Sequence, residues 1–133
     1  MNLQELVSLG RAVIFDGAIG TELEALGEQP GAESNITAPA AVLAVQKSYA
    51  ECGSDVIISN TFSMNPIYMA AHRCDFGVSE VNIKGVEIAR EASAGKTLVL
   101  GGVGPTGQML APLGTCTEEQ AFASFKTQAE ILA

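Results

Sequence analysis

Positive charge is scarce in this chain. Seven Lys and Arg stand against 15 Asp and Glu, giving a net charge of −8 over 133 residues. Such a balance argues against binding a nucleic-acid backbone and against docking on an anionic membrane. Cysteine is sparse too. Cys52, Cys74 and Cys116 are odd in number and show no CxxC spacing, which reads as reduced thiols in a cytoplasmic protein. They fall in different parts of the βα pattern, so the spacing gives no converging zinc set. The one histidine, His72 beside Arg73, leaves no Ser/His/Asp or Cys/His nucleophilic arrangement to assemble. No apolar run approaches the ~18–20 residues of a membrane span. The opening MNLQELVSLGRAV carries Glu5 and lacks the apolar core of a signal peptide.

What is present is globular. Apolar residues make up 47% and charged residues 17%, enough for one domain with a modest core. Short apolar runs alternate with helical patterns. Ala12-Val13-Ile14-Phe15 predicts a buried first strand that stops at the turn signal Asp16-Gly17. A short helix follows, with Thr21 near its start, Leu23 and Leu26 on one face, and Gly27 beyond its end. Thr37 is the expected N-cap of a second helix, with Pro39 in the first turn and Val42, Val45, Tyr49 and Cys52 on one face.

Val56-Ile57-Ile58 predicts a second strand, closing at Ser59-Asn60. A helix is expected from Ser79 to Ala94, with Val81, Gly85, Ile88 and Ala92 inward, then a strand over Thr97-Leu98-Val99-Leu100. A Gly/Pro-rich loop runs from Gly101 to about Cys116. The last helix opens on the capping-box pair Thr117 and Gln120, with Phe122, Phe125, Ala129 and Leu132 as its expected inner face. Strands apolar on both faces and alternating with helices predict an α/β fold with parallel strands.

The third strand runs into LGGVGPTG, where Gly102, Gly104 and Gly107 spell the dinucleotide fingerprint GxGxxG. That mechanism needs a helix starting directly after the turn, its N-terminus facing the pyrophosphate. Pro105, Pro112 and the intervening TGQMLAPLG prevent one. The other reading is a backbone that turns sharply and leaves room for a ligand or a neighbouring loop.

Functional groups in α/β folds gather at the carboxyl ends of parallel strands. Asp16-Gly17-Ala18, Asn60-Thr61-Phe62 and Gly101 to Gly107 occupy those places. Asp16 either accepts hydrogen bonds from a substrate ammonium or caps the next turn; spacing does not choose between them. The N–H groups of Gly17 and Ala18 suit a carboxylate. Asn60 is either a substrate hydrogen-bonder or a turn former.

VIFDGAIGTELEALG, ESNITAPAAVLAVQKSYAECGSDVIISNTF, VEIAREA and GGVGPTGQMLAPLG together resemble the homocysteine S-methyltransferase family. The likeness is nearest to the N-terminal homocysteine-binding module of cobalamin-dependent methionine synthases. It runs in order from about Val13 to the C-terminus. The resemblance implies a (β/α)8 barrel that moves a methyl group onto the thiol of homocysteine, giving methionine. A zinc ion held by three cysteines would activate that thiol, and cobalamin on a separate module is one possible methyl carrier. By position it implies that Asp16 binds the amino group and that Gly17 and Ala18 lie beside the carboxylate. Asn60, Thr61 and Phe62 would line the site, together with the loop bearing Gly102 and Gly104.

A full barrel of this type needs ~250 residues, and about three βα units are legible here. The expectation is therefore a single partial homocysteine-binding barrel over residues 1–133, incomplete at its C-terminus. The family's zinc cysteines lie on later strands and Cys52, Cys74 and Cys116 do not match them. No catalytic or metal-binding residue is assigned, no zinc or cobalamin is expected on this chain alone, and none of its own turnover is expected. The expected partners are homocysteine, a remaining barrel half or a self-associating copy, and a cobalamin-binding module, with no nucleic acid and no membrane. Two alternatives stay open: a non-catalytic half-barrel interaction module and a nucleotide-binding α/β domain. The motifs do not identify the methyl donor.

Overall fold

A computed structural model describes residues 2–133. The elements are α1 (Leu3–Val7), α2 (Gly20–Ala25), α3 (Ser34–Thr37), α4 (Pro39–Glu51), β1 (Val56–Ile58), α5 (Pro66–Ala71), α6 (Val78–Ser93), β2 (Leu98–Leu100) and α7 (Glu118–Leu132). β1 and β2 are parallel, with Val56 opposite Leu98 and Ile58 opposite Leu100. β1 fills the core side of this pair, with Val56 and Ile57 fully buried.

The expected first strand is reduced to one parallel bridge, Phe15 to Val56. Asp16 N–H donates to Val56 O at 3.0 Å, and Ile14 O accepts from the N–H groups of Asp55 and Val56. Ile14 and Phe15 are 55% and 48% exposed, so the expectation of a buried strand is corrected. This segment pairs on one side only, among the described residues, and has no neighbour to cover its other edge. Its polar anchor is Asp55, whose carboxylate receives both guanidinium nitrogens of Arg11 at 2.7 Å and Ile14 N–H at 2.9 Å.

α6 is the central helix. It packs against α4 on one side, α7 on the other, and both strands. Leu23, Val42, Val45 and Ile88 form one core cluster, joining α2, α4 and α6; Ala32, Met64, Met69 and Val81 form a second under the loop after β1. Such clusters at helical spacing are the source of most helix stability here, since isolated helices of this length are marginal.

Three helix expectations need correction. Thr37 is not the cap of α4: it ends α3, its hydroxyl donates back to Glu33 O at 3.4 Å, and Ala38 holds the cap position. Cys52 is exposed at the C-terminus of α4, beyond the buried Val42 and Val45. On α7 the capping box of Thr117 and Gln120 forms, but the buried residues are Ala121, Ser124 and Gln128. Phe122 is 70% exposed and Ala129 is exposed, while Phe125 and Leu132 are half-buried. The helix is turned by roughly one residue, about 100°, because Ser124 and Gln128 have buried partners. α5 has no counterpart among the expected elements. Asn65 caps it by accepting from Tyr68 N–H at 3.1 Å, and Pro66 starts its first turn.

Candidate substrate site at the strand ends

The parallel order of the Phe15 bridge, β1 and β2 brings the three strand-end loops to one side of the sheet. A chain of hydrogen bonds links them. Asp16 Oδ2 accepts from Ile58 N–H at 3.0 Å, tying the first loop to the end of β1. Two residues on, the Ser59 and Thr61 hydroxyls lie 2.7 Å apart. Thr61 Oγ1 donates to Gly102 O at 2.8 Å, and Gly102 N–H donates to Ser59 Oγ at 3.1 Å.

Asp16 is half-buried, and that burial raises its carboxyl pKa; the N–H groups of Ile58 and of Asp16 itself pull in the opposite direction. Gly17 and Ala18 are exposed. Tyr49 on α4 lies against them: its hydroxyl donates to Ala18 O at 2.9 Å. A Cβ at Gly17 would come within 2.7 Å of that same hydroxyl oxygen. Tyr49 has its own pKa raised, by burial first and then by the charges of Glu22 and Asp16.

The second loop is occupied differently. Asn60 Nδ2 donates to Gly31 O and to Asn35 Oδ1, both at 3.1 Å. Thr61 is fully buried. Phe62 is 63% exposed, and Ser63 after it takes a left-handed φ of 63°. A cleft of about 290 Å³ lies beside this loop, bounded by Pro30, Glu33, Asn60, Phe62, Met64 and Tyr68. A larger cavity, about 490 Å³, lies between α5, α7 and residues 108–116, and none of the expected site residues lines it.

The glycines of the third loop face their neighbour. A Cβ at Gly102 would meet Ser59 O at 2.9 Å, and one at Gly104 would meet Ser63 N at 2.6 Å. The next helix, α7, does not begin until Glu118. Strand, glycine turn and helix N-terminus are therefore not contiguous, as a pyrophosphate site requires. The glycines serve close approach of two loops.

Several residues that shape this face have no place in the sequence reading. Gln46 on α4 donates to Ile58 O at 2.9 Å, Asn35 on α3 to Asn60 O at 2.6 Å, Gln128 on α7 to Thr61 O at 2.8 Å, and Asn82 on α6 to Met64 O at 2.8 Å. All four amides are fully buried. Their signal was a carboxamide on the inward face: Gln46 lies four residues after Val42, and Gln128 four after Ser124.

The zinc set that the resemblance implies does not fit the residues present. Among the described residues no three His, Cys, Asp or Glu side chains converge. The Cys74 thiol pKa is raised, by burial first and then by Glu33 and Asp75, which is opposite to what a thiolate ligand needs. Cys116 is buried with its thiol directed to Thr117 O at 3.6 Å.

The profile of the homocysteine S-methyltransferase family matches residues 13–133. Methionine synthase of Mycobacterium tuberculosis is 31% identical, over 78% of this chain and 10% of that protein. Homocysteine S-methyltransferase of Escherichia coli is 32% identical, over 82% of this chain and 40% of its own length. The solved homocysteine methyltransferase MmuM from Escherichia coli superposes with a TM-score of 0.78 in its metallated form and 0.80 in its oxidized form. The identities are 28% and 27%, and each match covers 98% of this chain and 52% of the solved one. The chain thus spans about half the length of that structure and less of the two curated relatives.

Proposed function

The chain belongs to the homocysteine S-methyltransferase family, and on that premise we propose that it supplies the amino-acid-holding face of such an enzyme. The Asp16 carboxylate accepts the ammonium of homocysteine, and the N–H groups of Gly17 and Ala18 hold its carboxylate. Phe62 gives the two-carbon side chain an apolar wall. Asn60, Thr61, Gly102 and Gly104 set the shape of the surface: Asn60 and Thr61 spend their side chains on the protein, and the glycines let the loops meet. The observation that carries this reading is Asp16, a half-buried carboxylate at the strand ends that Ile58 N–H fixes through Oδ2 beside the exposed Gly17 and Ala18.

Thiol activation and the methyl donor come from outside these residues. Methyl transfer needs a thiolate, and no described group of this chain is placed to make one. The reading therefore keeps one domain over residues 1–133, acting with a complementary barrel half or a second copy, in the cytoplasm, with a cobalamin-binding module as one candidate donor carrier. The exposed Ile14 and Phe15 edge suits such a cover.

Titration of the 133-residue chain with L-homocysteine, followed at the Gly17 and Ala18 amides by NMR, tests this directly. Saturable shifts are expected there. Asp16→Asn is expected to weaken binding by at least tenfold without loss of fold, because an amide oxygen can still accept from Ile58 N–H. Equal binding by the two proteins, or no homocysteine-dependent shift in the folded chain, defeats the assignment. Methionine production by this chain alone would defeat the division of labour.

A further inference from the structure

The buried amides around the loop after β1 are unequal, and Gln128 stands apart. Gln46 donates to one carbonyl, Ile58 O, while Asn35 and Asn82 each donate to one carbonyl of the loop after β1 and one of α6. Gln128 Nε2 instead faces acceptors from three elements: Thr61 O at 2.8 Å, Asn82 Oδ1 at 3.1 Å and Gly102 O at 3.5 Å. Its Oε1 is buried and accepts no hydrogen bond among the described residues. Gln46 Oε1 is unmet in the same way; at Gln128 the three facing acceptors fix the amide's sense. Exchanging N and O would set an acceptor against three oxygens, so the side chain tolerates one unmet acceptor to keep its donor where it is.

The consequence runs outward. Gln128 holds the Thr61 peptide, the Thr61 hydroxyl holds Gly102 O, and Ser59 Oγ holds Gly102 N–H. Gly102 leads to Gly104, which packs on Ser63 and Phe62. One donor on α7 therefore sets the register between the loops after β1 and after β2. We infer that Gln128 is a positioning residue for the amino-acid substrate: it never touches homocysteine, and it fixes the loop pair that presents Phe62. This rests on the homocysteine-binding reading above.

The test uses Gln128→Met, which keeps length and removes the donor, beside Gln128→Glu. Hydrogen exchange is read at residues 61–63 and 102–104, with Val56–Ile58 as the internal reference, and homocysteine affinity is measured on the same samples. In Gln128→Met, loop exchange is expected to rise and affinity to fall, each by about tenfold, the size of one lost buried hydrogen bond. For Gln128→Glu, the wild-type-to-variant affinity ratio is expected to narrow as pH falls, because the protonated carboxyl regains a donor. That ratio cancels the titration of Asp16 and carries the test if Gln128→Met fails to fold.

Unchanged loop exchange, or loosened loops with unchanged affinity, or a ratio independent of pH, overturns the inference. A wild-type chain that binds no homocysteine overturns the proposed function itself. That outcome is distinct from failure at Gln128, where the wild type binds and Gln128→Met binds equally.

Discussion

The loop at Asp16 and the loop at Thr61 end neighbouring parallel segments, yet they are held in opposite ways. In residues 58–64 the carbonyls of Ile58, Asn60, Thr61 and Met64 are each caught by a buried amide from a different helix. Residues 16–18 are held by the Asp16 N–H bond to Val56 O, one carboxylate bond to Ile58 and one tyrosine bond from Tyr49, and Gly17 and Ala18 stay exposed. On the proposed function, the difference separates two jobs. Buried polar groups must be satisfied, so they specify one geometry and make a platform. Groups meant for a ligand must keep donors or acceptors uncommitted, so they sit where solvent reaches them.

The sharpest way to break the platform is to fill the space its glycines keep open. Gly104→Ala would set a Cβ 2.6 Å from Ser63 N. Since backbone cannot yield cheaply, chemical denaturation should show a loss of about 3 kcal/mol. If Gly104→Ala is as stable as wild type, the loops are not packed as described. Next is Asn35→Ala, which leaves Asn60 O and Val81 O without their donor. A loss of about 2 kcal/mol is expected from the unmet carbonyls, and the same change should leave the Ala18 amide signal in place.

On the Asp16 side the dependence is on pH. Asp55 is drawn down to about 2 by hydrogen bonds from Arg11 and from Ile14 N–H. A depressed carboxyl stabilises the fold above its unfolded value, near 3.8, and that contribution is lost as pH falls towards 2. The acid-unfolding curve of Asp55→Asn should therefore be flatter over that interval than the wild type's; coincident curves would show that the pair does not anchor this segment. Asp16 has the opposite sign. Its pKa is raised, so ionising it in the fold costs stability as pH rises. Asp16→Asn should be no less stable than wild type at neutral pH, and a clear fall in its melting temperature would show that the carboxylate is there for structure. The smallest effect belongs to Tyr49→Phe, which removes one partly exposed bond to Ala18 O; about 1 kcal/mol or less is expected, with the change in amide exchange confined to residues 16–18.

Much of this was legible locally. The apolar run at Val56-Ile57-Ile58, the capping box at Thr117 and Gln120, and the inward Val81, Gly85, Ile88 and Ala92 all follow from short-range pattern, and they form as read. The motifs DGAIGTE, SNTF and GGVGPTG also pointed to the family whose profile the chain matches. Pattern misled where partners are distant. Phe122 is a better apolar residue than Gln128, so periodicity placed it inside; the structure exposes it and buries the glutamine. Phe15 reads as core and lies on an edge, because exposure there depends on what pairs with its far side.

The sequence by itself determined the order of α2, α4, β1, α6, β2 and α7, the helix start at Thr117, and the strand-end places of Asp16, Thr61 and Gly102. Only the tertiary structure decided which face of α7 turns inward, why Gly102 and Gly104 must be bare, and which amide holds which carbonyl. The reason is range. Hydrophobic period and capping act over a few residues, whereas Gln128 meets Thr61 across 67 positions, and a hydrogen bond of that span exists only once the chain has brought both groups out of water together.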